Sequence, residues 1–219
     1  MNKKYPTVLP DKYMAGWDNL YKKQIEQPLC ELPTFLTHYA LQEFSFFTYG
    51  QDVQGKKAVD LATGDGIDSC FLAKLGYNVT AIDILPSSIE ITKKRAEALG
   101  LTDKMNILLE DMDKFVLNKE SFDVVSAIQC LQYLLEKAPT KFEELIRAVK
   151  PGGWLLYGGN VKPHFKTDPP IRFLTMLEIR KALKKWTIFS LAREERLMRP
   201  GDKRGYVWVV AQKPEREEK

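Results

Sequence analysis

The chain has 219 residues, 44% apolar and 28% charged, and Lys+Arg 33 against Asp+Glu 29 gives a formal charge of +4. These proportions fit one soluble globular domain, or a domain with a small cap, and exclude collagen-like, disordered and disulfide-scaffold chains. The charge is too mild to suggest a nucleic-acid partner, and no apolar run approaches the ~20 residues that span a bilayer.

Cysteine usage points the same way. Cys30, Cys70 and Cys130 are odd in number and widely spaced, which reads as reduced thiols in a cytoplasm. Met1–Pro10 lacks the apolar core of a signal peptide. With His38 and His164 as the two histidines, no zinc-ligand spacing arises and no metal is expected.

The first 54 residues are rich in aromatics and read as a helical cap. Met14–Lys23 carries Trp17, Leu20 and Tyr21 at helical spacing, and Thr34–Thr48 carries Phe35, Leu36, Tyr39, Ala40, Phe44 and Phe47. Pro28 and Pro33 break the chain between them. From Gly55 the pattern alternates. A strand at Ala58–Leu61 precedes a helix at Gly64–Leu75, and a strand at Val79–Ile82 precedes a helix at Pro86–Leu99. A third strand follows at Asn106–Leu109. Pro86 suits a first helical turn and Gly100 a helix end. Such alternation predicts right-handed βαβ units and a mostly parallel sheet.

Phe122–Ile128 is a near-continuous apolar run, as in a central strand buried on both faces. A helix over about Thr140–Val149, the turn Lys150-Pro151-Gly152-Gly153 and a strand at Trp154–Tyr157 come next. A loop with Pro163, Pro169 and Pro170 leads to a helix at Leu177–Lys185. Trp186–Leu191 and Tyr206–Ala211, joined by a polar loop, predict an antiparallel hairpin at the sheet edge. The expected fold is therefore α/β, a doubly wound, seven-stranded, mostly parallel Rossmann-like sheet with a terminal hairpin. It covers residues 55–213, with a charged tail at 214–219.

The informative stretch is Val59-Asp60-Leu61-Ala62-Thr63-Gly64-Asp65-Gly66-Ile67-Asp68. An apolar strand runs into a turn with two glycines, where a ligand can approach the backbone closely. Asp83 ends the next strand about twenty residues on, placed to accept both hydroxyls of a bound ribose. A dinucleotide site would want a third glycine, but Ser69 stands there. Asp65 and Asp68 would also repel a pyrophosphate while tolerating a cationic sulfonium. The reading that follows is S-adenosylmethionine.

On these residues the chain resembles a class I S-adenosylmethionine-dependent methyltransferase over roughly residues 55–213. Asp60 to Gly66 resembles the first motif, with Ala62-Thr63 where Gly-Cys or Gly-Thr is commoner. Asp83 matches the ribose-binding acid, Glu110-Asp111-Met112 the adenine segment and Phe122-Asp123-Val124-Val125 the central strand. Arg147-Ala148-Val149-Lys150-Pro151-Gly152-Gly153 matches the helix-to-strand connection. The resemblance implies cofactor contacts from Asp60, Ala62, Thr63, Gly64, Gly66, Asp83, Ile84, Ser88, Asp111 and Met112. It also implies that Ala127 and Ile128 hold the methionine moiety. A narrower likeness is to the tellurite-resistance type, with thiopurine methyltransferases more distant; the His-Arg pair of the former is here Met198-Arg199.

The implied activity is methyl transfer to a small-molecule acceptor, achieved mainly by positioning for in-line displacement. Gln132 and Tyr133 would face the reacting centre, although Tyr133 equally suits the start of a packed helix. Trp17 and Tyr21, one helical turn apart, form either a lid on the cofactor or part of the core. His38 reads as a partly buried helix histidine, and His164 as a pocket or surface residue. The aromatic set Phe44, Phe46, Phe47 and Tyr49 either lines an acceptor pocket or packs a helix. The basic stretch Arg193–Arg204 reads as a solvated hairpin loop. An RNA or protein methyltransferase, or a cofactor-binding module without chemistry, is the alternative. The acceptor and the oligomeric state have no local motif.

Overall fold

The computed structural model describes residues 11–26, 38–162, 171–199 and 202–216. Pro28, Cys30, Pro33, Phe35, Leu36, His164 and the Pro163–Pro170 segment fall outside them. Seven strands form one sheet in the order β3-β2-β1-β4-β5-β7-β6, and the chain divides into two compact units.

The first unit comprises residues up to His38 together with 50–116. It holds α1 (Asp11–Ile25), β1 (Lys57–Leu61), α3 (Ile67–Leu75), β2 (Asn78–Asp83), α4 (Pro86–Ala98) and β3 (Met105–Leu109); α2 belongs to the other unit. β1 pairs β2, and β2 pairs β3, both parallel. Parallel neighbours cannot be joined by a tight turn, so α3 and α4 serve as the crossovers. β1 and β2 are apolar and buried along most of their length because helices cover them. Pro86 occupies the first turn of α4 as expected. α1 packs on this layer through Met14 against Leu85, with Ala15, Tyr21 and Ile84 around them.

The second unit comprises 39–49 and the residues from 117 on. α2 (Tyr39–Phe47), β4 (Phe122–Ile128), α5 (Ala138–Ala148), β5 (Val149–Lys162), α6 (Met176–Ala182), β6 (Thr187–Arg199) and β7 (Asp202–Gln212) make it up. β4 and β5 are parallel, while β7 pairs antiparallel with both β5 and β6. Phe44 meets Trp154 edge-on at 5.5 Å, and Phe142 meets Tyr157 at 5.0 Å. Thr175 and Glu178 close a reciprocal capping box on α6.

Two expectations are corrected. The Lys150–Gly153 turn lies within β5: the β4 partner steps from Val149 to Trp154 while β4 advances from Phe122 to Val124, so the Pro-Gly-Gly segment is a bulge. The polar loop before the last strand is strand: β6 continues to Arg199, opposite Asp202. Met198-Arg199 thus ends β6, and most of the basic stretch is a hairpin ribbon. Leu131–Lys137, where a packed helix is one reading, forms 3-10 turns with Leu131, Gln132 and Leu134 buried.

Candidate functional site

In the first unit the carboxyl ends of β1 and β2 lie side by side, the edge at which parallel sheets bind ligands. The loop after β1 reverses direction through three left-handed residues: Ala62 (φ 57), Gly64 (φ 60) and Gly66 (φ 78). A Cβ on Gly64 would sit 2.8 Å from the Tyr21 hydroxyl, and one on Gly66 would sit 2.7 Å from Thr92 Cγ2. Both glycines are therefore fixed by space as well as by φ. Ala62 occupies left-handed backbone without that freedom, at a cost of about 1–2 kcal/mol.

The loop is tied from beneath. Ser69 Oγ donates to Asp60 Oδ2 at 2.5 Å and shares a hydrogen with Thr63 Oγ1 at 2.5 Å. Ser88 Oγ donates to the Gly64 carbonyl. Asp60, Thr63, Ser69 and Ser88 are all buried. Their hydrogen bonds make Asp60, Thr63 and Ser88 supports of the loop.

Asp83 ends β2 and is buried, with 6% of its surface exposed. Its Oδ2 accepts the Gly64 amide at 3.0 Å, and its Oδ1 accepts the Leu85 amide at 3.0 Å. Burial pushes its pKa up, against the pull of those amides. Ile84, next in sequence, packs against the Met14–Leu85 cluster.

A cavity of about 600 Å³ opens beside this acid, lined among others by Asp18, Ile84, Ser87, Leu109, Glu110 and Asp111. Asp111 Oδ1 accepts the Asp113 amide at 2.9 Å, which fixes its carboxylate in a turn that contains the half-buried Met112. α1 covers the same region. Trp17 and Tyr21 stack at 6.1 Å, Trp17 is 38% exposed, and the Tyr21 hydroxyl stands over Gly64. Asp18 anchors the helix by accepting Ser87 Oγ at 2.7 Å.

The acids of the loop are not open to a ligand in the way their sequence suggests. Arg95 donates from Nε to the Asp65 carbonyl at 2.9 Å and stands 3.8 Å from its carboxylate. Asp68 receives both the backbone amide of His38, at 3.2 Å, and its Nδ1. Both carboxylates are thus met by groups of the protein itself.

In the second unit Ala127 and Ile128 are buried at the carboxyl end of β4. Gln129 follows with φ 56, its backbone amide bound to the Gly158 carbonyl at 2.8 Å. Gln129 Nε2 is buried and finds no partner among the described residues. Gln132 is buried and donates to the Gln129 carbonyl at 2.7 Å, so its amide braces this turn. Tyr133 is half-buried in the 3-10 segment.

Sequence reasoning read His38 only as a partly buried helix histidine and passed over Asp18 and Gln129. The first two act through partners 30 and 69 positions away, and no local pattern signals that.

Residues 59–157 match a family model described as a methyltransferase domain. The chain is 27% identical to the sterol 4-C-methyltransferase strm-1 of Caenorhabditis elegans over 154 residues, 62% of this chain and 45% of that protein. It is 36% identical to the mitochondrial ubiquinone biosynthesis O-methyltransferase of Schizosaccharomyces pombe over 105 residues, 47% of this chain and 37% of that one. The chain thus spans less than half the length of these relatives. The structure of TehB from Haemophilus influenzae superposes with a TM-score of 0.67 at 18% identity, covering 90% of this chain and 67% of that one. The [4+2]-cyclase SpnF superposes with a TM-score of 0.65 at 16% identity, covering 98% and 100%. At such identities the likeness is one of fold. By the domain match over residues 59–157, its sheet order and its glycine loop, the chain is similar to class I S-adenosylmethionine-dependent methyltransferases.

Proposed function

We propose that the chain moves a methyl group from S-adenosylmethionine to a small-molecule acceptor. The observation that carries this reading is Asp83: a buried carboxylate tied to the Gly64 amide, beside a cavity that Ile84 and Asp111 also line. The donor set fits the cofactor. A carboxylate at this strand end suits vicinal ribose hydroxyls, Ile84 offers an apolar surface for a purine, and Asp111 can accept from an exocyclic amine. The two glycines let the loop turn through left-handed backbone at the strand end. When bound, the cofactor supplies an electrophilic methyl on sulfonium; the chain binds, orients and excludes water.

Within this proposal Trp17 and Tyr21 cover the site. Asp60, Thr63 and Ser88 act by holding the loop. The relatives' names include acceptors methylated at carbon and at oxygen, which supports a small organic acceptor here. Among the described residues no helix is long and apolar enough to cross a membrane. A cytoplasmic setting belongs to the proposal and is supported by Cys70 and Cys130, both buried free thiols. Burial pushes the Cys70 thiol up to about 12, so it is no nucleophile near neutral pH.

Titration calorimetry with S-adenosylhomocysteine tests the reading. A charge-assisted contact to ribose contributes roughly 1.5–3 kcal/mol, so Asp83→Ala weakens binding about 10- to 150-fold. Asp83→Asn, which keeps the shape, should also lose affinity. A dissociation constant that both variants leave unchanged overturns the assignment.

A further inference from the structure

His38 and Asp68 make a pair that the cofactor reading does not use. Asp68 stands in the first turn of α3, two residues beyond Gly66, and is 7% exposed. It takes two hydrogen bonds from one residue: the His38 backbone amide at 3.2 Å and the ring Nδ1. The first fixes where His38 stands and the second fixes its tautomer, leaving Nε2 as the nitrogen that exchanges a proton. The His38 side chain keeps 47% of its surface exposed while the Asp68 side chain keeps 8%. A buried orienting carboxylate thus holds a half-exposed imidazole, beside the glycine loop expected to seat the cofactor's amino-acid portion.

We propose that His38 is the general base of the transfer, that Asp68 is its positioning residue, and that the acceptor is a hydroxyl compound whose proton His38 removes. This rests on the methyltransferase reading above. In the step, the acceptor's O–H proton passes to His38 Nε2 and the oxygen pair bonds to the methyl carbon. The carbon–sulfur pair returns to sulfur, leaving a neutral thioether. A thiolate would need no such base, whereas a hydroxyl does.

The surroundings favour the imidazolium product. Asp68 faces the ring directly, and Asp60 and Asp65 add attraction; Arg95 on α4 offsets part of the Asp65 charge. Burial works against the charged ring, but these carboxylates prevail and raise its pKa above 6.5. A raised pKa makes His38 a stronger base that must first be neutral, so the rate climbs with pH through that value and then levels.

The experiment uses the full chain with labelled S-adenosylmethionine and catechol, phenol and 2-mercaptoethanol as acceptors, alongside calorimetry with S-adenosylhomocysteine. The His38 ring is titrated by NMR. Expected are transfer to at least one hydroxyl acceptor and a roughly 10²- to 10⁴-fold fall in kcat for His38→Gln with S-adenosylhomocysteine binding kept. Asp68→Asn should lower the pKa of the His38 ring and move the acidic limb of the pH–rate profile with it. Three results overturn the proposal: His38→Gln retaining the wild-type pH profile, a ring pKa that Asp68→Asn leaves unmoved, or a wild-type chain that binds S-adenosylhomocysteine yet methylates no hydroxyl. A wild-type chain that does not bind S-adenosylhomocysteine refutes the parent reading instead.

Discussion

Replacing Gly66 by alanine isolates what the glycine loop contributes to the fold. Gly66 sits at φ 78, ψ 7, immediately before α3. Left-handed backbone costs an alanine about 1–2 kcal/mol. The added Cβ would lie 2.7 Å from Thr92 Cγ2 and 2.8 Å from Thr92 Oγ1. Thr92 is fully buried within α4, so it cannot swing aside, and overpacking of this kind adds about 1–3 kcal/mol. The sum is about 2–5 kcal/mol, or a fall in Tm of roughly 4–20 °C for a chain of this length. Gly50 supplies the control: its φ is also 78, but nothing lies within 4 Å of its would-be Cβ. Gly50→Ala should therefore lose only the backbone part, about 1–2 kcal/mol. Thermal and urea unfolding followed by circular dichroism give both numbers. Adding Thr92→Ala to Gly66→Ala removes the two nearest atoms and should recover at least about 1 kcal/mol relative to additivity. If Gly66→Ala costs no more than Gly50→Ala, or if Thr92→Ala restores nothing, the steric argument fails.

Two further perturbations probe the same unit. Asp83 binds its proton more tightly in the fold than in the unfolded chain, because burial raises its pKa above 3.8. Its contribution to stability therefore grows as pH falls through the raised value toward 3.8, and at neutral pH the ionised group is a penalty. Ribose hydroxyls would favour the carboxylate, so S-adenosylhomocysteine affinity should weaken as pH drops into that window, with proton release on binding. Calorimetry in buffers of different ionisation enthalpy reads both, and affinity flat across the window contradicts the role given to Asp83. Asp18→Ala removes the acceptor of Ser87 Oγ and of Lys22 Nζ. Leaving a buried hydroxyl without its acceptor costs about 1–3 kcal/mol. Amide exchange in α1 should rise more than in β1 and β2, and uniform exchange would show that Asp18 does not anchor the helix.

The parallel half of the sheet was legible because its strands announce themselves twice. Phe122–Ile128 is an apolar run bounded by polar residues, and the structure gives the same bounds. Pro86 and Gly100 bracket α4 by backbone chemistry alone. The distal hairpin was not legible, for a physical reason. Arg193 and Glu195 are exposed while Glu194 is half-buried, so the ribbon shows no apolar alternation; backbone pairing between β6 and β7 defines it. The Trp208 indole donates to Glu194 at 2.7 Å, a cross-strand contact that gives that polar residue its place.

The site divides along the same line between local and distant causes. Gly64, Gly66 and Asp83 could be found because a turn and a strand end need particular residue types within a few positions. Their charges could not be judged that way. Asp65 and Asp68 looked like an open negative rim, whereas Arg95 and His38, each 30 positions from its partner, hydrogen-bond to them. What the loop presents to a ligand is therefore set by the fold around it. The consequence can be checked without any acceptor. Because the His38 pKa is raised by Asp68, that pair stabilises the fold fully below pH 6.5 and less as pH rises through the folded pKa. Asp68→Asn should flatten this part of the stability–pH curve, while Asp65→Asn, two residues inside the glycine turn and paired with Arg95 instead, should leave most of it in place. Equal effects from the two variants would mean that the loop's acids act on His38 as a diffuse field, and that no single carboxylate orients the ring.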